Sequence, residues 1–427
     1  MQDSNDVKVI HPFILAAYPI IFLYANNMSY HITLTEVAAL AAASVAVTLA
    51  VYAIASRALR NAHKAGLVVA MGLLYFYSYG HFYELVLVQV GSLVKYLPNM
   101  GHTLLLTSYT ILFAFVCFLL ISLIAGSGFI AVTRFMNHLS CILVALSLIG
   151  IAAYILGNAP VTDETGVDCM KIASEAGKND SYPDIYYVIL DAYARTDVMN
   201  ERYGFDNREF LGYLKGRGFY VPAESRCNYC YTFLSLASSL NMEYINYLSK
   251  TVGEDSSDRW EIGRMTRNNK ALCFLKSRGY RYVTFTNYFE ADYRQEADLK
   301  VECSLTDFTR IVFTTTVLRA LDVKEKRDDE LCILRELPEV RHKVEGPRFV
   351  FAHLQAPHPP YVLDDNYMGG KGMPYDASEK ERYVENIDIL NGRLEEIIDR
   401  ITSEPGRPAV IILQSDQAPY SRPTSPT

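Results

Sequence analysis

The sequence has no surplus of positive charge: 40 Lys and Arg stand against 47 Asp and Glu, a net charge of −7 over 427 residues. No basic stripe runs along it, and that excludes phosphate-tracking nucleic-acid binders. A second Cys-x-x-Cys is missing too. The single pair Cys227–Cys230 is only half of a zinc or redox site, so a disulfide or structural role is the expectation for it. No cleavable signal pattern precedes the first apolar run, which is therefore expected to stay in place. Away from their ends the apolar runs hold no charged residue. Only Tyr, Ser and His81 are left there to line a lipid groove.

What the sequence does have is a sharp division. Residues 12–157 are almost continuously apolar, whereas 158–427 have the mixed composition of a water-facing domain. Five apolar segments fall at 12–27, 35–56, 65–85, 103–126 and 138–157, most of them near the ~20 residues that span a ~30 Å hydrocarbon core. The first is short and carries Pro19. The stretch 85–102 reads as a re-entrant or interfacial piece. Arg57, Arg60 and Lys64 lie in one loop and Arg134 in another, while the loop 28–34 carries no basic residue. Placing the basic loops in the cytoplasm puts the amino terminus inside and, after five crossings, residue 158 onward outside.

Beyond a polar linker at 158–183, apolar β-rich runs alternate with helical patterns. The runs Asp184–Asp191, Arg281–Thr286, Arg348–Leu354 and Ala409–Asp416 read as buried strands. The clearest helix spans about 378–403, with Tyr383, Ile387, Leu390, Leu394, Ile397 and Ile401 on one face. Such alternation predicts an α/β domain at 184–417, with a mainly parallel sheet covered by helices on both faces, followed by an irregular tail at 418–427. Ligands of such sheets bind beyond the carboxyl ends of the strands. Those ends carry Asp191, the His353–His358 turn and Asp416. His353 lies inside a strand and is expected to be packed behind the site. In Asn228–Leu248, apolar residues at helical spacing from Phe233 onward place Thr232 at or near a helix N-terminus, where unpaired N–H groups and the helix dipole stabilise an anion.

PDIYYVILDAYAR, NYCYTFLSLASSLNMEY, FVFAHLQAPHPPYV and VIILQSDQ, in that order over about 184–417, resemble the alkaline phosphatase/sulfatase superfamily. The likeness is to its membrane-anchored branch of lipoteichoic acid synthases and phosphoethanolamine transferases. The resemblance implies one divalent cation (Mn, Mg, Zn or Ca) held by Asp191, Thr232 and Asp416. It implies Thr232 as nucleophile and His358 on the substrate's phosphoryl oxygens. It also implies a membrane lipid or lipid-linked glycan substrate, handled on the periplasmic or extracellular side of the inner (plasma) membrane. Apart from the resemblance, Arg195, four residues after Asp191, is a candidate for a substrate phosphate or for a surface ion pair, and Asn228 a candidate for holding the transferred group. A sulfatase is the weaker reading, because neither Cys227, Cys230 nor Ser235 has the surroundings that formylglycine formation requires.

The sequence departs from that pattern in two ways. The residue after Asp416, normally His, is Gln417, whose amide oxygen suits Mg²⁺ or Ca²⁺ better than zinc or manganese. After it come only APYSRPTSPT. Deleting one base from codons for His-Gly-Pro yields Gln-Ala-Pro, so a frameshifted, truncated tail is expected, and with it a degenerate, non-catalytic membrane protein as the alternative function.

Overall fold

The computed structural model describes residues 7–419, apart from 29–31, 95–97, 125, 127, 158–180, 257, 287–296, 322–324, 360, 364–377 and 404–405. The linker and most of the tail singled out above lie outside the described residues. The chain divides into two compact units, Met1–Thr162 with Asp307–Val323, and Asp163–Thr306 with Lys324–Thr427.

The first unit is built on five helices: α1 (His11–Asn26), α2 (Leu34–Leu59), α3 (Ala62–Val94), α4 (Pro98–Leu123) and α5 (Gly128–Gly157). The stretch 85–102 is occupied largely by the end of α3 and the start of α4. Four helices contain segments long and apolar enough to cross a membrane: Leu34–Leu59, Ala62–Val86, Leu104–Leu123 and Gly128–Gly157. The chain is thus a multi-pass membrane protein. Helix α1, at 16 residues, is only about 24 Å long at 1.5 Å per residue. It packs against α2, α3 and α5, with Ala16 and Ile20 buried. Its N-terminus is capped from α5: Asn137 Oδ1 accepts from the Ile10 and His11 backbone amides at 3.3 and 3.0 Å. Near Pro19, the Ala16 carbonyl accepts from Ser44 Oγ at 2.8 Å.

A segment that the sequence reading gave to the α/β domain belongs to this unit. Helix α10 (Asp307–Thr315) sets Phe308 and Val312 against Ile20 of α1 and Val37 of α2. Thr309 Oγ1 donates to Glu36 Oε1 at 2.8 Å, and Arg319 pairs with Glu84 at 2.6 Å. Gly80 of α3 permits the approach, since a Cβ there would lie 2.2 Å from the Thr314 carbonyl oxygen.

The second unit is a five-stranded sheet of β1 (Asp184–Leu190), β2 (Arg281–Phe285), β3 (Leu299–Val301), β4 (Arg348–Leu354) and β5 (Ala409–Ser415), in the order β3-β2-β4-β1-β5. Every pairing is parallel. Four strands match the predicted runs to within a residue, and the three-residue β3 is additional. Alternate residues face opposite layers. Tyr186, Val188 and Leu190 meet α6 (Arg208–Gly216), α11 (Glu325–Glu336) and α12 (Glu379–Ser403), while Tyr187 and Ile189 meet α7 (Thr232–Asn241) and α9 (Lys270–Ser277). A further helix, α8 (Trp260–Arg267), packs on α7. At the amino ends of the central strands, buried Asp184 accepts from the Arg348 backbone N–H at 3.0 Å and pairs with its guanidinium at 2.6 Å. Breaking a buried pair of this kind costs about 3–5 kcal/mol.

Cysteine chemistry divides this unit. Cys303 and Cys332 are bonded and Cys273 is disulfide-bonded as well, but Cys227 and Cys230 are free, exposed thiols. The disulfide expected as one role of that last pair is not formed.

Candidate metal centre

Each of three strands delivers one polar residue to the same end of the sheet, and residue parity places all three on the α7 face. Asp191 follows Tyr187 and Ile189 of β1 at steps of two. His353 of β4 follows Phe349 and Phe351, and stands opposite Ile189. Asp416 follows Gln414 of β5, whose side chain accepts from Tyr187 at 3.1 Å and donates to Ser239 of α7 at 3.3 Å. The result is a cluster in which one ligand atom from each of Asp191, His353 and Asp416 lies within 4.8 Å of the others, all at 0–1 % exposure.

The backbone around the cluster is held under strain. Ala192, directly after Asp191, has φ of 63°, a left-handed conformation that costs a non-glycine residue about 1–3 kcal/mol. Three bonds hold it: Asp416 Oδ1 accepts from Ala192 N–H at 3.2 Å, the Ala192 carbonyl accepts from Tyr383 at 2.9 Å, and Ala194 N–H donates to the same phenol at 3.0 Å.

Two oxygens in this cluster have no hydrogen-bond partner, Asp191 Oδ2 and Asp416 Oδ2. Buried acceptors are nearly always satisfied. Two buried carboxylates, each with an oxygen that has no hydrogen-bond partner, are an arrangement that a divalent cation completes. Burial, and then the facing Asp416 carboxylate, push the Asp191 pKa up. Burial pushes His353 down, leaving the neutral imidazole that a metal ligand must be. Its Nε2 lies 3.9 Å from Asp191 Oδ2. The donor set, two carboxylate oxygens and one imidazole, fits a divalent ion, with the imidazole coming from His353 rather than from the position after Asp416.

Thr232 is the first residue of α7. Tyr231 occupies the N-cap, so the Thr232 hydroxyl is not a capping group. It is buried at 6 % exposure. Gln417 Nε2 donates to Thr232 Oγ1 at 3.3 Å and to Asp191 Oδ1 at 3.5 Å, so nucleophile candidate and carboxylate share one partner. With its amide turned the other way, Gln417 presents an oxygen to the same point. The helix is shorter than its sequence pattern suggested. Met242 adopts φ of 55° and ends it, leaving Ile245 buried outside the helix.

The remaining candidates are spread out. His358 donates through Nδ1 to the Pro359 carbonyl at 2.7 Å. Asn228 donates to Ser238 of α7 at 3.0 Å. Arg195 is engaged by Asp197 at 2.6 Å and by the Ser225 carbonyl at 3.2 Å. Sequence reasoning passed over His353 as a ligand candidate and missed Glu330, a buried carboxylate on α11. Counting parity along β4 would have placed His353 on the same face as Phe349 and Phe351, but not beside Asp191, which takes the strand register.

No family model matches the chain, and none of the curated proteins does. Among solved structures it is similar to the integral membrane protein lipooligosaccharide phosphoethanolamine transferase A from Neisseria meningitidis. The two are 12% identical with a TM-score of 0.35, and the likeness covers 96% of this chain and 82% of that one.

Proposed function

We propose that this chain is a membrane-anchored, metal-dependent phosphotransferase or phosphohydrolase of the alkaline phosphatase/sulfatase superfamily, with Thr232 as its nucleophile. The observation that carries the reading is the buried Asp191–His353–Asp416 cluster, with two orphaned carboxylate oxygens, beside a threonine at a helix start. Asp191, Asp416 and His353 would hold one divalent cation. When bound, the ion lowers the proton affinity of the Thr232 hydroxyl and draws charge from the phosphoryl group. The leading N–H groups of α7 face the developing negative charge. Thr232 Oγ forms a bond to phosphorus as the bond to the donor's leaving oxygen breaks. An alcohol acceptor or water then breaks the Thr232–phosphorus bond. His358, held through Nδ1 by the Pro359 carbonyl, contacts the phosphoryl oxygens of the transferred group.

The membrane helices favour a lipid or lipid-linked glycan of the cell envelope as substrate, because an anchored site meets such donors at high local concentration. The disulfide between Cys303 and Cys332 favours an oxidising compartment, on the outer side of the inner membrane. Crossing by α1 as a fifth span fits that side. Gln417 in place of His supports a second reading, a binding module without catalysis. Mass spectrometry of the full chain after incubation with envelope lipids separates the two. An adduct on Thr232 that is lost in Thr232→Ala supports the enzyme, and an unmodified Thr232 with intact metal binding supports the module.

A further inference from the structure

His353 and His358 are separated by a four-residue turn held by backbone hydrogen bonds. The Leu354 carbonyl accepts from Asp191 N–H at 2.9 Å, and the Gln355 carbonyl accepts from His358 N–H at 2.8 Å. Pro357 has no N–H. The amides of Gln355 and Ala356 both point at one carboxylate. Glu330 Oε1 accepts from Gln355 at 2.8 Å and Oε2 from Ala356 at 3.5 Å. Glu330 is 1 % exposed, and burial pushes its pKa up to about 8. Its charge is also felt at Asp191, whose proton affinity it raises.

A carboxylate is an expensive way to satisfy two amides inside a protein. It is nevertheless the one side-chain group that accepts through two equivalent oxygens in one plane. An amide in its place would accept from one N–H and turn an NH₂ toward the other. The two-oxygen fork holds the turn between the two histidines in register with the strand ends.

We propose that Glu330 is a positioning residue of the metal centre, whose carboxylate pins the Gln355 and Ala356 amides and so fixes the turn that aims His353 and His358. The inference rests on the metal-centre reading above. Glu330 touches neither the cation nor the substrate, and acts through the turn.

The test is Mn²⁺ binding to the full chain in lipid nanodiscs, read from the free-ion electron paramagnetic resonance signal, with amide hydrogen exchange at Gln355 and Ala356 in the metal-free protein. Glu330→Gln is expected to weaken Mn²⁺ binding about 10–100-fold, the usual cost of losing an outer-shell partner, and to speed exchange at both amides. Leu394→Ala, a core change on α12, controls for lost stability and is expected to leave Mn²⁺ affinity unchanged. Should Glu330→Gln fail to fold, Glu330→Asp keeps the charge but is too short for both amides, and is expected to lose affinity likewise. Wild-type affinity in a folded Glu330→Gln or Glu330→Asp chain overturns the inference and leaves the metal centre standing. Absence of Mn²⁺ binding in the wild type overturns both.

Discussion

The two units bury polar groups differently. In the membrane unit, several buried hydroxyls donate one turn back in their own helix: Thr48 to the Ser44 carbonyl, Thr133 to that of Phe129, Ser147 to that of Leu143. Each is satisfied within one turn, and none points to a ligand. Apolar side chains there face outward, Leu112 at 55 % and Leu156 at 79 % exposure among them. In the α/β unit, Asp191, His353 and Asp416 come from elements far apart in sequence, and each of the two aspartates keeps an oxygen with no hydrogen-bond partner. Buried polarity alone is therefore no mark of function in this molecule. Unsatisfied polarity drawn from several strands is.

That contrast makes the two units vulnerable at different kinds of residue. The largest effect is expected at the centre itself: Asp191→Asn removes a carboxylate ligand and should weaken divalent-cation binding by at least the ~100-fold upper range of outer-shell losses. The same change should raise the melting temperature of the metal-free chain, because it relieves two facing carboxylates; a lowered one would speak against the unsatisfied pair. Next comes Asp184→Ala, which strands Arg348 at the base of the sheet and should cost about 3–5 kcal/mol in chemical denaturation of the α/β unit.

In the membrane unit, steric closeness matters more than charge. Gly80→Ala places a methyl group against the Thr314 carbonyl and should destabilise the docking of α10 by about 1–3 kcal/mol, as overpacking does. Faster proteolysis within 307–323 would show it. An unchanged cleavage rate would mean that close approach is not what holds the segment.

A smaller, pH-dependent effect separates the units again. Asp191 and Glu330 have raised pKa values in the fold, Glu330 at about 8, against about 4 when unfolded. Their contribution to stability is full below the unfolded pKa and is lost as pH rises through the folded one. The metal-free α/β unit should therefore melt at a higher temperature at pH 5 than at pH 8.5, by on the order of 2–4 °C per kcal/mol released. Added divalent cation should oppose the trend by holding Asp191 ionised. A flat profile without metal would remove the electrostatic account. The smallest effect is expected at Leu112→Ala on the outward face of α4, within about 0.5 kcal/mol.

Much of this was legible in the sequence, and the exceptions share a cause. Long apolar runs and buried parallel strands announce themselves through composition, so α2 and four strands stand where their runs do, whereas α5 starts at Gly128 and takes in Arg134, which was expected in a loop. Asp191, Thr232 and Asp416 were readable because each ends or begins such an element. The three residues of β3 have too little pattern to read. Helix α7 stops at Met242 without a glycine to mark it. Helix α10 joins the membrane unit through Phe308, Thr309, Val312 and the close approach at Gly80, which are tertiary contacts with no local signature. His353 looked like a core residue because a strand interior usually is core. Only its register against Ile189 of β1 puts it beside Asp191.

The central claim is that Asp191, His353 and Asp416 hold a single cation next to Thr232. Crystals of the full chain grown with Mn²⁺ and measured for anomalous scattering test it most directly. The account requires one strong peak within about 2.0–2.6 Å of both aspartates and of a His353 ring nitrogen, with the Thr232 hydroxyl alongside. A peak bound elsewhere, with the three side chains unmoved and unliganded, would contradict it.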